Sequence, residues 1–249
     1  MTNHNRFSRL ELLLGADNLK RLRHSSVAVF GLGGVGSFAV EALARGGIGR
    51  LTLVDFDQVD ITNLNRQLHA LDTTIGRPKA LVLAERCRLI NPAIAVEPLQ
   101  AFYSADSSET LLARGFDYVL DCIDHITSKL HLIESCLNRN LALISSMGAA
   151  NKLDPTQIRV SDLAHTHKCR LARIIRRELR RRHIHGGFKV VYSTEDFRPL
   201  SDTRRRPALQ TAAGYQERRA PLGSSSVVPP LFGLTMAGEA IRDLLQEPV

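Results

Sequence analysis

The sequence has no tryptophan, and aromatic residues make up only 5% of its 249 positions. Recognition that relied mainly on ring stacking is therefore not expected, and contacts to charge and shape should dominate. Cysteine is scarce and scattered. Cys87, Cys122, Cys136 and Cys169 stand far apart with no Cys-x-x-Cys pair, which argues against a disulfide framework and against a structural zinc site. No stretch approaches the ~18 consecutive apolar residues of a membrane span, and the polar start Met1–Arg6 lacks the apolar segment of a secretory signal. A cytosolic protein is expected. With 44% hydrophobic residues, the chain can build one large core or two closely joined lobes.

Charge is abundant and uneven. The net charge is +8, yet residues 151–220 hold 17 Lys and Arg against 7 Asp and Glu, so the rest of the chain is slightly acidic. A basic segment of this kind points to a polyanionic partner.

Apolar periodicity divides the chain into alternating strands and helices. Ser26–Phe30 is short, β-branched and closed by glycines, as a buried strand should be. Val35, Phe38, Ala39, Ala42 and Leu43 then fall on one helical face, Gly46-Gly47 ends that helix, and a second strand spans 50–55. Further helices are expected near 79–90, 106–114 and 126–138, with strands near 93–98, 117–122 and 141–146. The fold class is α/β, a doubly wound, mostly parallel Rossmann-like sheet with a basic C-terminal elaboration. Residues 1–150 form the expected core. Residues 151–249 form an extension with strands near 157–162 and 189–194, an Arg-loaded helix over 170–183, a mobile surface loop over 198–222, and a last helix near 230–245.

The candidate site opens at Gly31-Leu-Gly33-Gly34-Val-Gly36. Such glycines permit a tight turn and close approach of backbone to phosphate, with a helix N-terminus facing the anion. Asp55, at the end of the second strand, is placed to accept the ribose hydroxyls. This much fits NAD or ATP equally. The residues beyond Asp55 favour a triphosphate: Arg66 can fork onto phosphate oxygens and Lys79 adds a point cation at a helix start. Asp121 and Asp124 close the strand near 117–122, at the sheet edge where ligands bind. Asp124 reads either as a Mg²⁺ ligand or as the N-cap of the following helix.

Taken in order, Arg6-Phe-Ser-Arg9, Gly31–Gly36, Asp55-Phe-Asp57, Asn63-Leu-Asn-Arg66-Gln67, Gly76-Arg-Pro-Lys79 and Asp124 resemble the ubiquitin-activating-enzyme-like adenylating family, which includes the adenylating proteins of thiamine and molybdopterin biosynthesis. The resemblance implies that Gly31, Gly33, Gly34, Gly36, Asp55 and Asp57 hold ATP, with Asn63, Arg66 and Lys79 on its phosphates and Asp124 on Mg²⁺. It also implies a homodimer in which Arg9 reaches the neighbouring subunit's site. The chain departs from the sulfur-transfer members by lacking both zinc cysteine pairs. Its second half, including Ser161–Thr166, Leu171–Arg180 and Gly223–Pro229, looks like the branch that acts on tRNA, the threonylcarbamoyladenosine dehydratases, which close a tRNA-bound carboxylate into a ring at the expense of ATP. Arg173, Arg176, Arg177, Arg180 and Arg181 on the Arg-loaded helix, with Arg204, Arg205 and Arg206 in the loop, are the expected nucleic-acid contacts. The alternatives are adenylation of a ubiquitin-like sulfur carrier, an NAD-dependent oxidoreductase, and a non-catalytic RNA-binding module. A monovalent cation, a sulfur-relay partner and a part in the chemistry for Cys169 or Ser224–Ser226 stay open.

Overall fold

The computed structural model describes residues 5–198 and 222–246. Two short helices, α1 (Ser8–Leu14) and α2 (Ala16–His24), lead into β1 (Ser26–Phe30). The chain then alternates: α3 (Gly36–Arg45), β2 (Arg50–Val54), α4 (Lys79–Ile90), β3 (Ala95–Leu99), α5 (Ala105–Leu112), β4 (Tyr118–Asp121), α6 (Ile126–Asn138) and β5 (Ala142–Ser146). The basic second half supplies β6 (Ile158–Asp162), α7 (Arg170–Arg180), β7 (Lys189–Ser193) and α8 (Val228–Leu245).

The strands form one seven-stranded sheet in the order β3-β2-β1-β4-β5-β7-β6. Every pair is parallel except β6 with β7. The α/β alternation expected from the periodicity is therefore present, and β7 continues it by pairing with β5. The strand order reverses between β1 and β4, a switch point whose carboxyl edge is where ligands bind in such sheets. All five residues of β1 are buried, because helices cover both faces: α3, α4 and α8 pack in one apolar cluster with Val27 and Val29, while α5, α6 and α7 pack in another with Ala28 and Phe30.

α8 is the closest neighbour of α3. A side chain at Gly233 would put its Cβ 2.1 Å from the Val35 carbonyl oxygen, so the two backbones touch. Pro229 and Pro230 sit in the first turn of α8, where a missing N–H leaves no partner unsatisfied. The loop expected over 198–222, with Arg204, Arg205 and Arg206, lies outside the described residues apart from its two ends.

Candidate active site

The glycine loop follows β1 and turns sharply. Gly31 has φ +86°, and a Cβ there would lie 2.7 Å from the Cys122 carbonyl oxygen; a Cβ on Gly36 would lie 1.9 Å from the Gly31 carbonyl oxygen. No larger residue fits at either position without moving backbone. α3 starts at Gly36, and its N-cap, Val35, offers no side-chain hydrogen bond. In that first turn the Ser37 and Ala39 N–H groups donate to the Gly33 and Val35 carbonyls, and the positive end of the helix dipole faces the loop.

Asp55 follows β2 and is buried. Its Oδ2 accepts the Leu32 N–H at 2.5 Å and its Oδ1 accepts the Asp57 N–H at 2.8 Å. These bonds fix the carboxylate beside the loop and leave each oxygen one lone pair for a further donor. Burial pushes its pKa above the ordinary value, with the Lys79 cation pulling the other way. Phe56, Phe102 and His125 stack edge to face next to it, with centroids 5.1 and 6.0 Å apart. These half-exposed rings form an apolar wall that the sequence reading did not pick out.

The segment after Asp57 folds back on itself. Val59 N–H donates to the Arg77 carbonyl and Gly76 N–H to the Val59 carbonyl, so residues 57–59 run beside 76–79 and Lys79 arrives against Asp57. The Lys79 N–H donates to the Asp57 carbonyl, and Lys79 Nζ lies 2.8 Å from Asp57 Oδ2. Asp57 therefore holds the lysine in place. Within the bend, Asn63 is buried and its Oδ1 accepts the Asp60 N–H. Its carbonyl takes the N–H groups of Arg66 and Gln67, which makes Asn63 the scaffold of the turn that carries Arg66. Arg66 Cγ would be 3.2 Å from a Cβ on Gly34, so its stem lies over the glycine loop. Its guanidinium bonds to the Thr62 carbonyl and Asn65 Oδ1. Burial lowers its pKa and the Asp124 carboxylate opposes that shift, which places Asp124 within electrostatic reach.

Asp124 itself is exposed, and it does not cap α6. His125 takes that role, its Nδ1 accepting the Ser128 N–H at 3.3 Å. Of the two sequence readings of Asp124, the capping one is thereby removed. Beneath it, Asp121, Lys129 and Ser145 form a fully buried ionic group that the sequence reading also missed. A lysine on the polar-looking helix sequence 126–138 gives no sign of burial.

Gly31, Gly33, Gly34, Gly36, Asp55, Asp57, Arg66, Lys79 and Asp124 thus meet on the carboxyl edge of β1, β2 and β4. Arg9 is not brought to them. It is exposed on α1, whose start is held at the opposite edge by Arg6 donating to the Ile90 carbonyl. Among the described residues no group of three or more His, Cys, Asp and Glu is arranged to hold a metal ion by itself.

Residues 5–249 match the ThiF family. The chain belongs to that family. A tRNA threonylcarbamoyladenosine dehydratase of Bacillus subtilis is 45% identical over 241 residues, which cover 97% of this ThiF-family chain and 95% of the relative. The crystal structure of the Escherichia coli tRNA N6-threonylcarbamoyladenosine dehydratase in complex with AMP is 35% identical, with a TM-score of 0.86 over 97% of this chain and 94% of that one. By contrast, the molybdopterin-synthase adenylyltransferase of Salmonella typhimurium is 38% identical over 151 residues only, 60% of this chain and 59% of the relative.

The basic helix of this ThiF-family protein is amphipathic, with Ala172, Ile175 and Leu179 buried. Its arginines are not equivalent. Arg176 turns inward, donating to the Leu163 and Thr166 carbonyls. Arg177 and Arg181 share Glu178 at 2.9 and 3.0 Å. Arg173 and Arg180 are exposed and have no ion-pair partner among the described residues. Cys169 precedes α7 and is buried, while burial pushes the Cys87 and Cys136 thiols up to about 12; those two are protonated at neutral pH and poor nucleophiles. No helix among the described residues is long and apolar enough to cross a membrane.

Proposed function

We propose that this protein catalyses the ATP-dependent dehydration of threonylcarbamoyladenosine in tRNA. The observation that carries the reading is coverage: the dehydratases match nearly the whole chain, including the basic second half, whereas the adenylyltransferase match spans 151 residues. Residues 1–150 serve as the nucleotide-binding core and 151–249 as the extension that meets tRNA.

The reaction needs little from the protein beyond placement and charge. A carboxylate oxygen of the substrate attacks the α-phosphorus of ATP and pyrophosphate leaves. The substrate's own carbamoyl group then attacks the activated carbonyl and AMP leaves with the carboxylate oxygen, so that the substrate loses one water overall and a proton passes to solvent. Asp55 accepts the ribose hydroxyls, the glycine loop and the α3 N-terminus receive phosphate oxygens, and Lys79 exchanges Asp57 for the phosphates. Arg66 lies over the loop where charge develops as pyrophosphate departs. A lone exposed carboxylate such as Asp124 fits Mg²⁺ carried in on phosphates, since that ion needs only one or two carboxylates plus phosphate oxygens and waters. Bound there, Mg²⁺ would neutralise phosphate charge. No covalent enzyme nucleophile is required.

Arg173 and Arg180 are the best placed tRNA contacts on α7, and the molecule works in the cytosol. It forms a homodimer in which Arg9 serves a second subunit, with Leu12 and Leu13, 80% and 78% exposed on the same helix, as apolar surface beside it.

Incubation with ATP, Mg²⁺ and bulk tRNA tests the reading, with mass spectrometry of the released nucleosides. Loss of one water from the modified adenosine, together with AMP, is expected. AMP formation that instead requires a small protein ending in Gly-Gly and ignores tRNA would establish the carrier-adenylating alternative.

A further inference from the structure

We infer that Asp121, Lys129 and Ser145 form a positioning device for Asp124, a conclusion that rests on the Mg·ATP reading of the site. All three side chains are fully buried. Asp121 ends β4. Its Oδ2 lies 2.7 Å from Lys129 Nζ and accepts the Ser145 hydroxyl at 2.6 Å; its Oδ1 accepts the Ile123 N–H at 3.1 Å. The Lys129 N–H donates to the His125 carbonyl, so the turn from 122 to 125 is tied into a closed ring that starts and ends at Asp121. Ser145 anchors this ring to β5.

Stability does not account for such a group. Lysine and aspartate are almost never fully buried unless paired, and the loss of hydration largely cancels their attraction, so an apolar pair of similar volume would hold the fold as well. The ring instead fixes one short turn with two working faces. On one face the Cys122 carbonyl backs directly onto Gly31, and the Cys122 N–H is bound by the Phe30 carbonyl. On the other, exposed Asp124 lies within electrostatic reach of Arg66. A shift of this turn changes the distance from Asp124 to the phosphate loop, and with it the geometry offered to Mg²⁺.

The test compares Asp121→Leu/Lys129→Met, which removes charge and anchor together, with Asp121→Asn/Lys129→Met, which removes the charge and keeps an acceptor for Ile123. Calorimetric titration with α,β-methylene-ATP is run in Mg²⁺ and in EDTA. For the first variant the gain in affinity that Mg²⁺ confers should shrink by about tenfold, in line with the loss of an outer-shell partner, while affinity in EDTA stays within about twofold; the second variant should keep most of the gain. A full Mg²⁺-dependent gain in both variants overturns the inference. If the first variant does not fold, Ser145→Ala decides: a roughly threefold smaller gain supports the device, and an unchanged gain overturns it. Wild-type protein that binds the analogue in neither condition would overturn the nucleotide reading itself, and this inference with it.

Discussion

Replacing Lys79 with methionine keeps the length of a side chain that is only 6% exposed and removes a single charge. In the resting protein that charge neutralises Asp57 at 2.8 Å and, among the influences on Asp55, is the largest that opposes burial. A hydrogen bond to a charged group contributes about 1.5–3 kcal/mol. Asp57 is a third exposed, so solvent screening puts the expected loss of stability at the lower end, about 1.5 kcal/mol. The deficit should depend on pH. Asp55 already has a raised pKa in the folded protein, and without Lys79 it rises further. Above the pH at which either protein's Asp55 takes up a proton, the variant carries the whole deficit. As pH falls, the variant's Asp55, its pKa raised by burial without the opposing lysine, takes up its proton first and the deficit narrows. His69 gives an independent reading. Burial, and then Lys79, hold its pKa at about 4, so loss of Lys79 should move its titration upward while burial keeps it below that of a free histidine. Urea unfolding at several pH values between about 7 and 5, with NMR titration of His69, measures both. AMP release should fall by about 10²–10³-fold, as when one preorganised donor is lost from a transition state. A deficit that widens on acidification, or a His69 titration that does not move, refutes the reasoning.

Three further outcomes are expected. Gly36→Ala puts a methyl group 1.9 Å from the Gly31 carbonyl oxygen, and should cost about 3 kcal/mol in chemical denaturation and abolish nucleotide affinity; an alanine variant that binds normally would show that the loop is not rigid. Arg173→Gln/Arg180→Gln should flatten the dependence of log Kd for tRNA on log salt concentration by roughly two, whereas Arg176→Ala should lower the melting temperature with little change in that slope. Leu12→Glu/Leu13→Glu should shift the protein to monomers in analytical ultracentrifugation and reduce AMP release, because Arg9 would no longer meet a second site.

Much of the nucleotide edge could be read from residue order alone. Glycine spacing, Asp55 and the start of a helix at Lys79 obey local rules, and the expected helices over 79–90 and 126–138 coincide with α4 and α6. Three kinds of feature were not legible. α1 and α2 are only 7 and 9 residues long, too short to be stable outside their tertiary contacts, and their pattern carries little signal. The role of Asn63 inside its turn depends on which backbone groups need a partner, and sequence spacing does not record that. Lys129 and Arg176 were hidden for a more general reason. Charged residues are expected at the surface, so sequence reading sends all the arginines of α7 to solvent alike, and only the packing of α7 on residues 163–166 separates the inward Arg176 from the outward Arg173 and Arg180.

The contact of α8 with the glycine loop sets an order of events in the making of the protein. Gly34 is wedged between Arg66 and Pro229, where a Cβ would find the proline at 3.0 Å, and Gly233 seats its helix on the backbone of α3. During synthesis the loop and α3 leave the ribosome long before residues 228–245 exist, and until then the groove beside α3 stands open with its apolar lining in water. The nascent chain therefore carries a glycine loop without its Pro229 neighbour until the last helix is made and closes the groove.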